Sequence, residues 1–514
     1  MSDFFISFSP RPHRAHEIAW KPFEAALDEA AATDRLIVLV ISASWCHWCH
    51  ILDETTLSDD EVIKTINARF VATRLDADRQ PDLDIRYNQG GWPTVAILSP
   101  QGVTLTGGTF LGARELLQLL GQAEAYYRGS RDQFLEKLRD FEAEVDQFLA
   151  EPVVVEETDL RAIANDVVDQ CLAAYDAENP GFGDEPRFPH VDAVRLLSLD
   201  AIHEDSEELS ELVDRVLDAM VEGDLVDWVE GGFFRYCQYR DWTAPHTEKR
   251  LYDNALLIEL FSDLSKVTED ATRRKRLLES ARLAADYLST TLALPDGGFA
   301  SCQDADSDYY AQTIVGREAS EAPPVDTEFF AGFNARASAA LVSLADATGD
   351  DAYLDAARRT LEVVRQTCVG ESHLPRRWPE APDRPLHVSD AANYLYALLK
   401  LAARTDDAAY VAEASLVADS VIESFYNPIK KSFLDRTHGD DDRGPLRIPF
   451  APLEENALLA QSFGWLYRKT REPRLLEIAR EVVRGFHAVV PEYGVGSAPL
   501  GVAALELARL EAEA

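Results

Sequence analysis

The chain has 514 residues, 46% of them hydrophobic, with 50 Lys and Arg against 90 Asp and Glu and a formal net charge of −40. That length admits roughly two to four domains and a large buried core. The charge excludes a general nucleic-acid binder, because phosphate would be repelled, and it makes any lone carboxylate weak evidence of a site.

In chain order, His16 to Ala32 carries Ile18, Ala19, Phe23, Ala26 and Leu27 at near-helical spacing and reads as a first helix. The apolar run from Leu36 to Ile41 reads as a strand. It hands over to Ser44-Trp45-Cys46-His47-Trp48-Cys49-His50, which opens a helix. A sulfur at a helix N-terminus meets free backbone N–H groups and the helix dipole, both of which favour the thiolate. Cys49, one turn further in, can close a disulfide with Cys46. His47 and His50 read either as helpers of the thiolate or as polar, partly exposed helix-start residues. The four side chains also offer metal-ligand types. A structural zinc site usually draws its second pair from a separate segment, and no second Cys-x-x-Cys exists. Redox chemistry is therefore expected, with no metal and no cofactor.

Ser58-Asp59-Asp60-Glu61 opens the next helix, with Ser58 as N-cap and Glu61 three residues on. Phe70 to Leu75 is a second strand. Gly90-Gly91-Trp92-Pro93 precedes a third strand, 94–98. A turn at Pro100-Gln101-Gly102, a fourth strand over 103–106 and a helix over 113–127 complete the series. This is the order of a thioredoxin-like α/β domain, expected over residues 1–128. Pro93 stands where that fold places a cis-proline beside the sulfurs. Cys46, Cys49 and Pro93 are the catalytic candidates.

Residues 129–157 read as an acidic, partly helical linker. From there about twelve amphipathic helical stretches run to 512, with Gly- and aromatic-containing loops between alternate helices. Pro180-Gly181-Phe182-Gly183, Gly231-Gly232-Phe233-Phe234 and Gly297-Gly298-Phe299 are three of these loops. Six helical hairpins predict an all-α (α/α)6 toroid over 158–514, with an open solenoid as the alternative. Its polar clusters are Trp242, His246, Glu248, Tyr252 and Asp253 on one hairpin and Asp304 and Asp306 on the next. Asp390, Asn393, Glu454, Glu455 and Asn456 start later helices. Each alone reads as a cap or a solvated charge. Their recurrence at corresponding positions gathers them at one mouth, around a concave site with Trp242 at its rim. Aromatic and carboxylate linings of that kind suit a sugar or polyol. A helix beginning near Thr247 would put Lys249 and Asp253 on one face.

Cys171, Cys237, Cys302 and Cys368 are isolated and read as small core residues. The N-terminus lacks a basic stretch followed by a long apolar core, and no apolar run approaches a membrane span. A reducing cytoplasm is expected, with no membrane partner. Forty Arg against ten Lys and the spread of carboxylates point to a high-salt, haloarchaeal-type host, where salt screens self-repulsion.

Several motifs together carry a family resemblance. They are Cys46-His47-Trp48-Cys49-His50, Asp76 to Asp82, Gly90-Gly91-Trp92-Pro93, Gly231-Gly232-Phe233, Pro245-His246-Thr247-Glu248-Lys249, Leu251-Tyr252-Asp253-Asn254 and Asp304-Ala305-Asp306-Ser307. In this order the chain resembles the spermatogenesis-associated thioredoxin-like family. It departs from that pattern at Thr247, where an aromatic residue is usual, and at Asn334-Ala335, where Asn-Gly is usual. The resemblance implies a thioredoxin-like domain followed by a six-hairpin domain similar to those of sugar 2-epimerases and some glycosidases. Three functions follow. The first is a thiol–disulfide oxidoreductase acting on protein thiols or a reductase, with the toroid holding a client or sugar-like molecule. The second is an epimerase or hydrolase with His246 as general base and an accessory thioredoxin-like domain. The third is a non-catalytic scaffold.

Overall fold

The computed structural model describes residues 8–379, 384–439 and 442–513. The chain divides into two compact units, Met1–Glu151 with His438–Pro449, and Pro152–Thr437 with Phe450–Ala514.

The first unit runs β1 (Trp20–Lys21), α1 (Phe23–Thr33), β2 (Ile37–Ser42), α2 (His47–Glu54), α3 (Asp60–Arg69), β3 (Val71–Asp76), α4 (Pro81–Tyr87), β4 (Thr94–Leu98), β5 (Thr104–Gly108) and α5 (Ala113–Ala150). The sheet order is β1-β3-β2-β4-β5. β1 and β2 lie parallel to β3, while β4 is antiparallel to both β2 and β5. Every residue of β2, β3 and β4 is buried, as central strands covered on both faces require.

Several sequence expectations shift here. The helix over 16–32 splits, because Trp20 is buried and pairs with Ala72 of β3. Pro22 then ends the strand, and its missing N–H costs nothing at the start of α1. Asp59, not Ser58, caps α3: its Oδ1 accepts from the N–H groups of Glu61 and Val62 at 2.9 and 3.0 Å. The Ser58 hydroxyl donates instead to the Asp53 carbonyl. The expected linker, 129–157, is helix as far as Ala150 and belongs to the first unit as far as Glu151. Only Ser130 leaves helical geometry. Beyond it Leu138, Phe141, Val145 and Leu149 resume an apolar stripe. With Val103, Pro445 and Ile448 they line a cavity of about 260 Å³.

The second unit is a ring of helical hairpins. Its outer helices are α6 (Leu160–Ala174), α8 (Glu207–Glu222), α10 (Ala271–Tyr287), α14 (Asp351–Thr367), α16 (Ala408–Phe425) and α18 (Pro473–Phe486). Its inner helices are α7 (Val191–Glu204), α9 (Leu251–Val267), α13 (Ala331–Thr348), α15 (Val388–Thr405), α17 (Leu453–Thr470) and α20 (Ala498–Glu513). Short helices α11 (Ser307–Tyr310), α12 (Ile314–Glu318) and α19 (Val490–Tyr493) lie in the connections. Each inner helix packs on the next and α20 packs on α7, so the ring closes and no terminal hairpin exposes its apolar face. That closure is the (α/α)6 toroid and not the open solenoid.

The stretch Pro473–Ala512 has the length and apolarity of a membrane span, which the sequence reading did not register. In the ring it breaks into α18, α19 and α20, and Leu475, Val482, Leu500 and Leu505 are buried in the helical core.

Glycine loops are tied to the inner helices by one repeated device. Asn254, Asn334 and Asn456 each hold the fourth position of α9, α13 and α17. Each Oδ1 accepts, at 2.7 Å, the N–H of a loop phenylalanine: Phe233, Phe299 and Phe433. Each Nδ2 returns a bond to the carbonyl of that same residue. The Asn side chain thus satisfies both the N–H and the carbonyl of a buried residue.

Candidate functional site

Cys46 is the N-cap of α2 and is bonded to Cys49 in a disulfide. The Cys49 N–H donates to Cys46 Sγ at 3.3 Å. A thiolate released at Cys46 therefore meets an N–H and the positive end of the helix dipole. Cys46 is 5% exposed and Cys49 is fully buried, so the first sulfur is the one a partner can reach.

The loop before β4 faces this motif. β2 and β4 pair Ile41 with Thr94, which sets Pro93 beside the strand end that leads to Cys46. The Trp92–Pro93 peptide is cis. The Trp92 and Trp45 rings meet edge to face at 5.5 Å. Trp45 Nε1 donates to Asp78 Oδ2 at 2.7 Å and Trp92 Nε1 to Asp84 Oδ1 at 3.0 Å. Asn88 Oδ1 accepts from the N–H groups of Gly90 and Gly91, pinning the loop. Trp48 is half exposed and packs edge-on against Phe110, giving the rim of the motif an apolar surface.

The two histidines part company. His47 is exposed, as expected. His50 is buried and its Nε2 lies 2.9 Å from the Ser44 carbonyl, which can only accept, so Nε2 carries the proton. Burial holds its pKa below the ordinary histidine value. His50 therefore fixes the turn before Cys46 and is not a partly exposed helix-start residue.

Beneath the motif lies a pair the sequence reading missed. Asp53, one turn after Cys49 on α2, accepts from Arg74 of β3 at 2.5 Å, and both are buried. The Arg74 guanidinium also lies 4.4 Å from the centre of the Phe8 ring. The available signal was an arginine inside the otherwise uncharged run Phe70 to Leu75.

In the helical unit the expected candidates meet only in part. Strands β8 (Tyr236–Cys237) and β9 (Pro245–His246) pair Tyr236 with His246, and the two rings stack at 4.2 Å. His246 Nδ1 is 3.8 Å from Glu248 Oε1. Glu248 is buried, and its Oε2 has no hydrogen-bond partner. The charges of Glu248 and Asp253 both act on Arg235. Asp253 also lies 3.6 Å from Arg250. Tyr252 donates to Glu454 Oε1 at 2.9 Å, and the charge of Asp253 acts on Glu454. Glu454 and Glu455 start α17, three helices round the ring from α9, so this bond spans the ring's centre.

Burial and the neighbouring Glu454 push the Glu455 carboxyl up to about 8. In the sequence each of these two glutamates alone reads as a cap or a solvated charge, in a chain with 90 acidic residues, and only their recurrence at corresponding hairpin positions points to the mouth. Folded Glu455 keeps a proton that the unfolded chain gives up near pH 4.3 (about the ordinary value). Its contribution to stability therefore falls as pH rises between about 4.3 and 8. Glu455→Gln is expected to flatten that decline in urea unfolding while the circular-dichroism spectrum stays unchanged.

Three expectations are corrected, for Trp242, Asp306 and Lys249. Trp242 is 1% exposed, in the helical core, with Nε1 donating to the Pro180 carbonyl at 2.8 Å; it is no rim residue. An indole buries a large apolar area and needs only one carbonyl for its N–H. Asp306 caps α11 through Tyr309 N–H, the ordinary role of an aspartate there. Asp304 Oδ1 accepts the N–H of Ala305, and Asp304 follows directly on strand β11 (Cys302–Gln303). That strand pairs with β10 (Lys249–Arg250), which follows Glu248, so Asp304 and Glu248 extend facing ends of one ladder. Lys249 is thus on a strand, not on a helical face shared with Asp253. It is fully buried: Nζ donates to Asp227 at 2.6 Å and to the Gly231 carbonyl at 2.7 Å, between the Tyr287 and Tyr310 rings. Burial lowers its ammonium to about 8.

Cys171, Cys237, Cys302 and Cys368 are buried free thiols, and burial pushes those of Cys171 and Cys237 up to about 12. Among the described residues no group of three or more His, Cys, Asp or Glu side chains is placed to hold a metal ion.

Residues 7–146 match the Thioredox_DsbH family model, described as a protein of unknown function, DUF255. The chain is 29% identical over 317 residues to human spermatogenesis-associated protein 20, a match covering 57% of this chain and 40% of that protein. The mouse protein of the same name is 28% identical over 316 residues, with the same coverage. An uncharacterized protein of Caenorhabditis elegans, B0495.5, is 27% identical over 318 residues, 57% of this chain and 42% of that one. The chain spans about two fifths of the length of these curated relatives. Among solved structures, the helical unit is similar to a sugar epimerase from a ruminal bacterium (TM-score 0.54, 12% identity, 68% of this chain and 98% of that one). It is similar to cellobiose 2-epimerase of Bacillus thermoamylovorans (TM-score 0.54, 11% identity, 69% and 99%). A GH76 α-mannanase of Bacteroides thetaiotaomicron gives TM-score 0.51 at 14% identity, over 69% and 97%. At these identities the likeness is one of fold.

Proposed function

We propose that the chain is a thiol–disulfide oxidoreductase whose helical ring takes a sugar-like molecule or a client. The supporting observation is Cys46 itself: a helix-capping sulfur, bonded to a buried Cys49, beside an exposed Trp48. In the reducing direction the Cys46 thiolate attacks a client disulfide. One client sulfur leaves as thiolate and a mixed disulfide remains. The Cys49 thiolate then attacks Cys46 Sγ, the second client thiolate leaves, and two electrons have passed to the client. A protein dithiol reductase returns the Cys46–Cys49 disulfide to dithiol. Capture of mixed disulfides by a Cys49→Ser variant tests this, since a trap that forms no Cys46-linked adduct in a reducing extract overturns it.

A second reading rests on Tyr252, Glu454 and Glu455. A protonated carboxyl beside a hydrogen-bonded one is an acid–base pair able to act near neutrality, as sugar epimerisation or glycoside hydrolysis needs. The charge of Asp253 acts on it through Glu454. Turnover of disaccharides lost in Glu455→Gln, with Cys46 reactivity intact, would favour this reading over the first.

We also propose a high-salt cytoplasm for the protein, on the strength of its net charge of −40. Its thermal midpoint is expected to rise with KCl over the molar range as repulsion is screened. A midpoint highest in dilute buffer would overturn that placement.

A further inference from the structure

A second group of polar and aromatic side chains meets inside the ring, away from the mouth. Arg195, Tyr396, Lys400, Gln461, Trp465 and Glu506 line a cavity of about 270 Å³. Arg195 stands on the second turn of α7 and the others on the middle and C-terminal turns of α15, α17 and α20, whereas Glu454 and Glu455 occupy the first turn of α17. At about 1.5 Å per residue, Trp465 lies about 15 Å along α17 from Glu455.

The walls are set before any ligand arrives. Tyr396 and Trp465 stack on each other at 5.2 Å, with 30° between their planes, and give the cavity an aromatic side. Glu506 is held by Gln461 Nε2 at 3.0 Å and Trp465 Nε1 at 2.6 Å. Lys400 Nζ is held by Ser343 at 2.6 Å and by Glu259 at 3.2 Å. Arg195 bonds Asp192 through one terminal nitrogen at 3.3 Å, while its other terminal nitrogen, buried, faces Glu259 at 3.7 Å. An aromatic face beside fixed carboxylate, amide, ammonium and guanidinium groups matches a ring that carries C–H bonds on its faces and hydroxyls on its edge. The volume falls below the range of about 300–1,000 Å³ for drug-sized ligands, so it admits a single ring and not a chain of them.

We propose that this cavity is a second binding site that takes one hydroxylated six-membered ring, a monosaccharide or a cyclitol. It shares no side chain with the mouth cluster and does not rest on the function proposed for the mouth or for the cysteines. Val267, half exposed, also lines the cavity and belongs to none of its ion pairs, so Val267→Trp fills the space without removing a charge.

The experiment titrates the full chain with D-glucose and with myo-inositol by calorimetry and thermal unfolding. At least one is expected to bind saturably. Val267→Trp should weaken that binding about tenfold or more, as should Gln461→Leu, the second variant should the first fail to fold. Glu455→Gln should leave it unchanged. The two ligands separate a sugar from a cyclitol. Saturable binding of neither, binding indifferent to both cavity variants, or binding lost in Glu455→Gln would each overturn the proposal.

Discussion

Replacing Cys46 with Ser is expected to abolish thiol–disulfide exchange, a loss on the order of a thousandfold or more. Cys49→Ser should instead accumulate mixed disulfides through Cys46. The asymmetry follows from position. Cys46 caps α2 and keeps a 5% exposure, whereas Cys49 is fully buried one turn in and can act only on a sulfur already joined to Cys46. In the reduced protein Cys46 should alkylate below neutral pH, because the N–H of Cys49 and the helix dipole favour its thiolate. Cys171 and Cys237, pushed up to about 12 by burial, should stay inert until the chain unfolds. Stopped-flow alkylation followed by peptide mapping reads both. An ordinary thiol pKa at Cys46, or equal rates for Cys46 and Cys171, would remove the redox assignment while leaving the helical ring's chemistry open. A Cys46→Ser variant with unchanged thermal midpoint under reducing conditions would show that the loss is chemical and not a loss of fold.

The motif that makes this prediction possible was legible because its chemistry is local: a strand, seven residues and a helix carry it whole. The ring was legible as a count of hairpins, since an outer helix such as α14 is amphipathic along its length. What sequence did not disclose depends on long-range pairing. The pairing of Lys249 with Gln303 exists only because the chain returns fifty-four residues later, and it turned a supposed helical face into a strand. Trp242 looked like a binding aromatic because its loop is polar, yet the Pro180 carbonyl that accepts from it lies sixty-two residues away. Glu454 and Glu455 were legible as helix-start residues at the mouth, but not as a coupled pair. The partner of Glu454, Tyr252, stands on a helix about two hundred residues earlier, and only ring closure brings them together. The Asn254, Asn334 and Asn456 repeat was readable in part: position four of three inner helices holds the same side chain, although its bonding to a loop phenylalanine was not.

Glu259→Gln should cost about 3–5 kcal/mol, the largest stability effect expected from one substitution in the ring. Glu259 is fully buried near the middle of α9. Arg336 approaches it at 2.9 Å, Lys400 at 3.2 Å and Arg195 at 3.7 Å, and Tyr396 donates its hydroxyl at 2.5 Å. These groups come from α7, α13 and α15, so one carboxylate neutralises three helices where the inner ring converges. The amide would keep a shape close to the carboxylate's and remove the charge. Three cations would then face one another with little water between them, since Arg336 is 3% exposed at its side chain and Lys400 16%. Against a total stability of about 5–15 kcal/mol, that loss should lower the urea midpoint substantially without changing the slope. The cations hold the Glu259 carboxyl far below its usual range. Its contribution is therefore present above the unfolded value near pH 4.3 (about the ordinary carboxylate value) and is lost as pH falls further. Wild type should lose stability on acidification more steeply than Glu259→Gln, and the two curves should converge at low pH. Removing a cation together with the carboxylate, as in Glu259→Leu with Arg336→Leu, should recover part of the loss, because the unpaired charge and not the missing bond is what destabilises. A Glu259→Gln cost below about 1 kcal/mol, the size of a surface pair, would mean that apolar packing alone closes the ring.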